Sequence, residues 1–283
     1  MIEDFAIVQD VEEFPIVIER PLYTCEPFVM GGGTTLNKAP KHKAIVEEKT
    51  GRIISVVGEG YKTIQNSVAV PRHEEAIHRS RLDTTGMTRQ VSNSHDGART
   101  VVKYTFPTHK MEVVKGDIMH LQITFLNSYD GSWKLGSLLG ALRLACTNGQ
   151  VVHDSYSSFY GKHTKSLDID EIVRKLERSL DVYMQNVELW KQYPSTGVSI
   201  VEAERILIQF AKNNKKMLKT LQETHARYVL EMGNNLWALF NTFTHWSTHT
   251  KVQKESNRSS VIINREQKVR SILPQLESLR LAA

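Results

Sequence analysis

Arg143 stands inside "LLGALRLACTNG", a run that is otherwise apolar up to its Cys-Thr-Asn-Gly ending. A guanidinium stays charged and planar, so it must be paired, or face an anion or solvent. Two readings are open. Arg143 holds a carboxylate, Asp130 or Asp154, or it contacts phosphate. A lone Arg in an apolar run more often finds a carboxylate than a ligand. Cys146 follows three residues later, with His153 and His163 near it in sequence. A nucleophilic thiol needs a base and a lowered pKa, and spacing supplies neither. An inert cysteine at a turn is the expectation. His245 and His249 are spaced i, i+4, which suits two metal ligands on a helix. No Glu of a metalloprotease pattern lies between them and no further Cys/His pair is close, so no metal site is expected.

Other signatures of catalysis are missing. There is no paired-carboxylate cluster of the kind a two-metal nuclease uses, and no Gly-x-Ser-x-Gly. Gly31-Gly32-Gly33 is not followed by Gly-Lys-Ser/Thr, so it reads as a connector rather than a phosphate loop. No enzymatic reaction is assigned and no cofactor is expected. Basic residues interleaved with aromatics are more suggestive. Arg99, Lys103, Tyr104 and Phe106 fall on or near one β-hairpin, and Lys212, Lys215, Lys216 and Lys219 share a face of one helix. Cations along a groove, with aromatics for stacking, make up sequence-tolerant single-strand binding. A solvated helix face explains the lysines equally well.

The elements that must position these residues divide the chain at two points. Residues 1–50 read as an acidic leader and loop, with short strands such as "FPIVIE" and a loop over "MGGGTTLNKAPKHKA". Residues 51–165 read as a mixed, β-rich core. In it, "GRIISVVGEG" is a strand and turn, and Val68, Ala69, Ala76 and Ile77 mark a helix to about Arg81, capped by Asn66 or Ser67. "ARTVVKYTFP" alternates, with Val101, Lys103 and Thr105 facing opposite to Val102, Tyr104 and Phe106. The pentads "NSHDG" and "NSYDG" each adjoin such a run and predict two hairpin loops at one sheet end. "LLGALRLACTNG" fits either period. As a helix it stripes Leu135, Leu138, Leu139 and Leu142, with Arg143 at the edge. As a strand it turns Leu138, Leu142 and Leu144 to the core, with Arg143 facing them only across a bulge. Residues 166–283 read as helical. "DIDEIVRKLERSLDVYMQNVELWKQY" is one helix, and "SIVEAERILIQFAKNNKKMLKTLQETH" is another, opened by a Ser199–Glu202 capping box. "NNLWALFNTFTHWSTHT" and "NREQKVRSILPQL" are two more. The fold class is therefore α+β: an antiparallel β-rich N-terminal and central part, then a helical C-terminal part.

Charge is uneven. Residues 1–50 carry five Lys/Arg against nine Asp/Glu, and the remaining chain 31 against 22, for a net charge of +5 overall. An acidic leader on a basic body is a pattern of proteins that meet nucleic acid. No signal peptide opens the sequence, no run is apolar enough to span a bilayer, and Cys25 and Cys146 stand far apart. A cytoplasmic protein with no membrane partner is expected.

Three motifs stand in order: Val57-x-x-x-Tyr61-x-x-Ile64-Gln65-Asn66, Asn127-Ser128-x-Asp130-Gly131-Ser132 and Arg143-x-x-Cys146-x-Asn148. Together they resemble the phage/plasmid-like family catalogued as domain of unknown function 932, over roughly residues 30–250. The resemblance implies a mobile-element protein and carries over no catalytic residue, because the family's role is unsettled. The combined expectation is a cytoplasmic protein that binds nucleic acid, single-stranded DNA in replication or recombination, as a homo-oligomer. The alternative is a non-enzymatic interaction factor, such as an inhibitor of a host defence protein, docking through the acidic leader. The three motifs are expected to meet in space, with Asn66 tying backbone at a turn and Asp130 within reach of Arg143.

Overall fold

The computed structural model describes residues 14–27, 34–144, 148–151 and 169–282. Two antiparallel sheets precede a set of helices. Strands β1 (Val17–Pro27), β2 (Thr34–Glu47) and β3 (Ile53–Gly58) form the first sheet in that order. Much of the segment expected to be irregular is thus paired strand. β-Branched Thr34, Thr35, Ile45 and Val46 lie in β2; β1 pairs with its Thr- and Lys-rich start, and β3 joins on the other side from His42 onward. The triple glycine lies outside the described residues.

Helix α1 (Asn66–Arg79) leads to the second sheet. Its strands are β4 (Thr88–Ser94), β5 (Arg99–Glu112), β6 (Ile118–Ser128), β7 (Gly136–Arg143) and β8 (Asn148–Val151), each hydrogen-bonded to the next in chain order. "NSHDG" makes the β4–β5 turn, with His95 and Asp96 both at φ 53 and Gly97 at φ 86. Two successive left-handed residues match the right-handed twist of a hairpin. "NSYDG" leaves β6 at the same sheet end, because Ser94 pairs with Arg99 and Arg99 with Ser128.

β7 settles the ambiguous run as a strand. Its pairing with β6 contains no bulge, and Leu139, Ala141 and Arg143 point inward while Leu142 is half-buried and Leu144 exposed. Of the leucines expected inward, Leu138 is buried, on the opposite face of the strand from Arg143, and plain alternation corrects only Leu142 and Leu144. β6 is buried on both faces along most of its length. One face joins Val102, Tyr104, Phe106, Ile123 and Phe125 to the main core with α1. The other packs Val101, Leu126 and Leu138 on Ile263.

The helical part comprises α2 (Ile169–Trp190), α3 (Ile200–Ala211), α4 (Lys215–Met232), α5 (Leu236–His249), α6 (Arg258–Arg270) and α7 (Leu273–Ala282). Ser199 and Glu202 close the expected capping box on α3. The single helix expected from Ser199 onward is two: Lys212 takes φ 51 after α3, and Asn214 caps α4 by accepting from the Met217 amide. The last expected helix also divides, between Arg270 and Leu273. α5 is buried nearly all round, from Leu236 to Ser247, and packs against α4, α6 and β8. Its Asn241, Thr242, Thr244 and Ser247 return their side-chain hydrogen bonds to carbonyls of the same helix, which makes this burial tolerable.

Candidate nucleic-acid interface

The first two motifs meet, and they form a polar seam. Asn66 is not the helix cap; Gln65 is, and it makes no side-chain capping bond. The Asn66 side chain is buried, where its Nδ2 donates to Thr100 Oγ1 (2.8 Å) and its Oδ1 accepts from Asn127 Nδ2 (2.7 Å). Asn127 Nδ2 also donates to the Ile64 carbonyl (2.9 Å), and Thr100 Oγ1 donates to Asn93 Oδ1 (2.7 Å). Asn66 N–H donates to the Tyr129 hydroxyl (3.0 Å), and the Tyr61 hydroxyl donates to the Ser128 carbonyl. Burial pushes the Tyr61 hydroxyl up to about 12. The Gln65 amide exchanges two hydrogen bonds with the backbone of Val17, at the start of the first sheet. Gly131, at φ 72, turns the chain where a side chain would be strained. These residues join both sheets to the start of α1.

The third motif does not join them. Arg143 pairs in register with Met119, near the start of β6, whereas Asn127 and Ser128 end that strand. A strand rises about 3.3 Å per residue, so β7 carries Arg143 most of the way down the sheet. Its partner is Asp117, not Asp130: Nε donates to Oδ1 at 2.6 Å, and both side chains are buried. Asp117 Oδ2 also accepts from Trp237 Nε1 (2.9 Å), while the Arg143 guanidinium lies 5.8 Å from the Trp237 ring. Asp154 and Cys146 fall outside the described residues. Asn148 lies in β8, opposite Arg143.

The hairpin residues are also committed. Arg99 Nε donates to Asp130 (2.7 Å), with the guanidinium 5.7 Å from the Trp133 ring. Burial would raise the Asp130 carboxyl, but hydrogen bonds from the Ser132 amide and from Arg99 outweigh it and hold it below the usual range. Lys103 stands 3.8 Å from Glu266. Tyr104 is 0% exposed and donates to Glu74 (2.9 Å); burial first, then the Glu74 charge, raises its hydroxyl pKa. Tyr104 and Phe106 offer no face to a base, because the alternation that grouped them also turned them into the core. His245 has both ring nitrogens engaged, one by Arg227 (3.2 Å) and one by the Tyr228 hydroxyl (3.3 Å).

The lysines lie differently. Lys212 follows α3, and Lys215, Lys216 and Lys219 are on α4; all four are exposed. Lys216 lines an open groove of about 480 Å³ between the start of α4, the segment after α5 and α6. The opposite wall supplies Lys251, Lys254 and Arg265, and Trp246 forms part of the floor. Val261 and Arg265 line the same wall, and Lys268 continues their i, i+4, i+7 face of α6. Among the described residues, no carboxylate lies within ion-pair distance of Lys212, Lys216, Lys251, Lys254 or Lys268. Lys219 reaches Glu223 (3.9 Å) and Arg258 reaches Glu255 (3.4 Å). Burial, then the charge of Arg258, lowers the Arg265 pKa; burial, then Lys212, lowers that of Lys268. Sequence reading found the α4 cations and missed those from Trp246 to Lys268. Arg265 and Lys268 share a helical face that the sequence spacing already carried, but the fold alone sets it against α4.

Across residues 53–271 the chain matches the family described as Domain of unknown function (DUF932). No curated protein and no solved structure matches it.

Proposed function

The chain belongs to the family of domain of unknown function 932, and from that premise we propose that it is a phage or plasmid protein that binds nucleic acid through the α4–α6 groove. The work proposed for it is on single-stranded DNA in replication or recombination, in the host cytoplasm, as a homo-oligomer. The observation that carries the reading is the gathering of Lys216, Lys251, Lys254 and Arg265 in one groove, with no carboxylate of the described residues within ion-pair distance of the three lysines. Phosphate contacts supply most sequence-independent affinity. The basic excess beyond residue 50 supports the same reading. The stacking component expected of the hairpin has no support, since Tyr104 and Phe106 are buried.

A gel shift with single- and double-stranded DNA at low and moderate salt tests the proposal. Retarded complexes at low salt that weaken as salt rises are expected. No complex at low salt would overturn it, because phosphate contacts are strongest there.

A second reading, a non-enzymatic interaction factor, draws on a different surface. Ile200 and Val201 on α3 are 79% and 78% exposed and Leu230 on α4 is 89% exposed. Large apolar side chains left in water on two helices that pack together are a feature of protein-docking surfaces. Residues 1–13 of the acidic leader lie outside the described residues. Serine at all three positions should abolish recovery of a host protein and leave DNA binding intact.

A further inference from the structure

We infer that Lys268 anchors a backbone phosphate of the bound strand, and that the groove reads phosphates without regard to base identity; this rests on the nucleic-acid reading above. The Lys268 ammonium sits 4.4 Å from the centre of the Phe210 ring and 5.5 Å from that of Trp246. The acceptor it reaches is Met217 Sδ at 3.4 Å, and a thioether is a weak acceptor. Two aromatic faces hold a flexible side chain in place while leaving its donors unfilled. Lys212 repels it, so an anion entering here relieves like-charge repulsion and completes the solvation of a half-buried cation.

The chemistry of the groove favours phosphate over carboxylate. The residues suited to planar, two-point recognition of carboxylates are arginines, and Arg265 in the groove and Arg258 at the start of α6 are already engaged. Arg265 donates to the carbonyls of Thr250 (2.6 Å) and Lys251 (3.1 Å), and Arg258 is tied to Glu255. Lysines remain, compact point charges that suit phosphate oxygens in many orientations. Among the described residues of the groove, bases find no open ring to stack on, because Phe210 and Trp246 are 4% and 6% exposed and already face the cations.

The test is anisotropy of the full chain with labelled oligo-dT and oligo-dA of equal length, across a salt series. Wild-type protein, Lys268→Gln and a control at Lys115, exposed in the β5–β6 turn and outside the groove lining (Lys115→Gln), are compared. Lys268→Gln should weaken both oligonucleotides by the same factor and make the plot of log affinity against log salt shallower by about 1. Lys115→Gln should match wild type. Wild type binding neither oligonucleotide overturns the nucleic-acid reading, and the anchor with it. Binding by wild type that Lys268→Gln leaves unchanged in strength and slope overturns the anchor alone. A wild-type preference of more than tenfold for one oligonucleotide overturns base independence. Displacement by polyglutamate at the charge concentration at which polyphosphate fails overturns the choice of phosphate. If Lys268→Gln does not fold, amine acetylation of wild type decides. Bound oligo-dT should protect Lys268 and leave Lys115 reactive, and equal labelling of Lys268 with and without DNA overturns the anchor.

Discussion

Arg143 donates to Asp117, and Asp117 accepts from Trp237, so one carboxylate ties β7 to the start of β6 and to α5. Removing one member of a buried ion pair leaves the other charge unpaired, which costs on the order of 3–5 kcal/mol. Arg143→Ala should therefore lose roughly that much in urea denaturation. Arg143→Met with Asp117→Leu should recover part of it, because an apolar pair removes the stranded charge. A fully stable Arg143→Ala would mean that the pair contributes nothing. His73 is buried beside Tyr104 (5.6 Å), Phe125 (5.3 Å) and Ser137 Oγ (3.3 Å). Burial pushes its pKa down to about 4, from an ordinary value of 6.5. Over that interval the unfolded chain takes up a proton that the folded chain refuses. Stability is then whole above about pH 6.5, falls as the pH drops toward 4, and levels below it. His245, also pushed down to about 4 by burial and by its His249 and Arg227 neighbours, acts with the same sign. Melting temperature should fall between pH 7 and 5, and His73→Gln should flatten that slope whatever it does to stability at neutral pH. An unchanged slope would remove His73 from the account.

At the scale of elements, the Asn127–Asn66–Thr100–Asn93 chain fixes the start of α1 against β4, β5 and β6. Each side chain is a partner of the next, so the effects of mutation cannot add. Asn66→Ala and Asn127→Ala should each cost about 1–3 kcal/mol, since each leaves buried polar groups without partners. The double variant should lose less than the sum, with a coupling of about 0.5–3 kcal/mol. Additive losses in a denaturation cycle would show that the two amides act separately. The seam also explains why "NSxDG" recurs. Asn93 and Asn127 enter the same chain of bonds from β4 and β6, while His95-Asp96-Gly97 and Asp130-Gly131 turn the backbone at the same sheet end.

At the scale of the whole molecule, the cations that gather in the groove come from α4, from the segment after α5 and from α6. Reversing one charge in each, Lys216→Glu, Lys251→Glu and Arg265→Glu, should abolish DNA retardation at moderate salt. Arg265 also holds the carbonyls of Thr250 and Lys251, so its variant should lower the melting temperature while the two lysine variants should not. Retention of full DNA binding by the triple variant would move the interface elsewhere.

What the sequence determined by itself was local. The α+β class, the order of sheets before helices, the two hairpin loops and the Ser199 capping box follow from periodicity, turn chemistry and cap spacing, each expressed within a few residues. That Arg143 must be paired or face an anion or solvent followed from the charge of a guanidinium in apolar surroundings. Its partner did not, because proximity in sequence favoured Asp130, whereas an extended strand carries Arg143 away from that turn and toward Asp117. The burial of Tyr104 was likewise undecided: alternation separated two faces of β5 without saying that both would be covered. The groove is the clearest case. Lys216 and Arg265 belong to different helices, far apart along the chain, and only the packing of α4 and α6 around α5 brings their charges into one groove. Like charges repel in the unfolded chain, so it is the burial of α5, and no attraction among the lysines, that holds the groove in place.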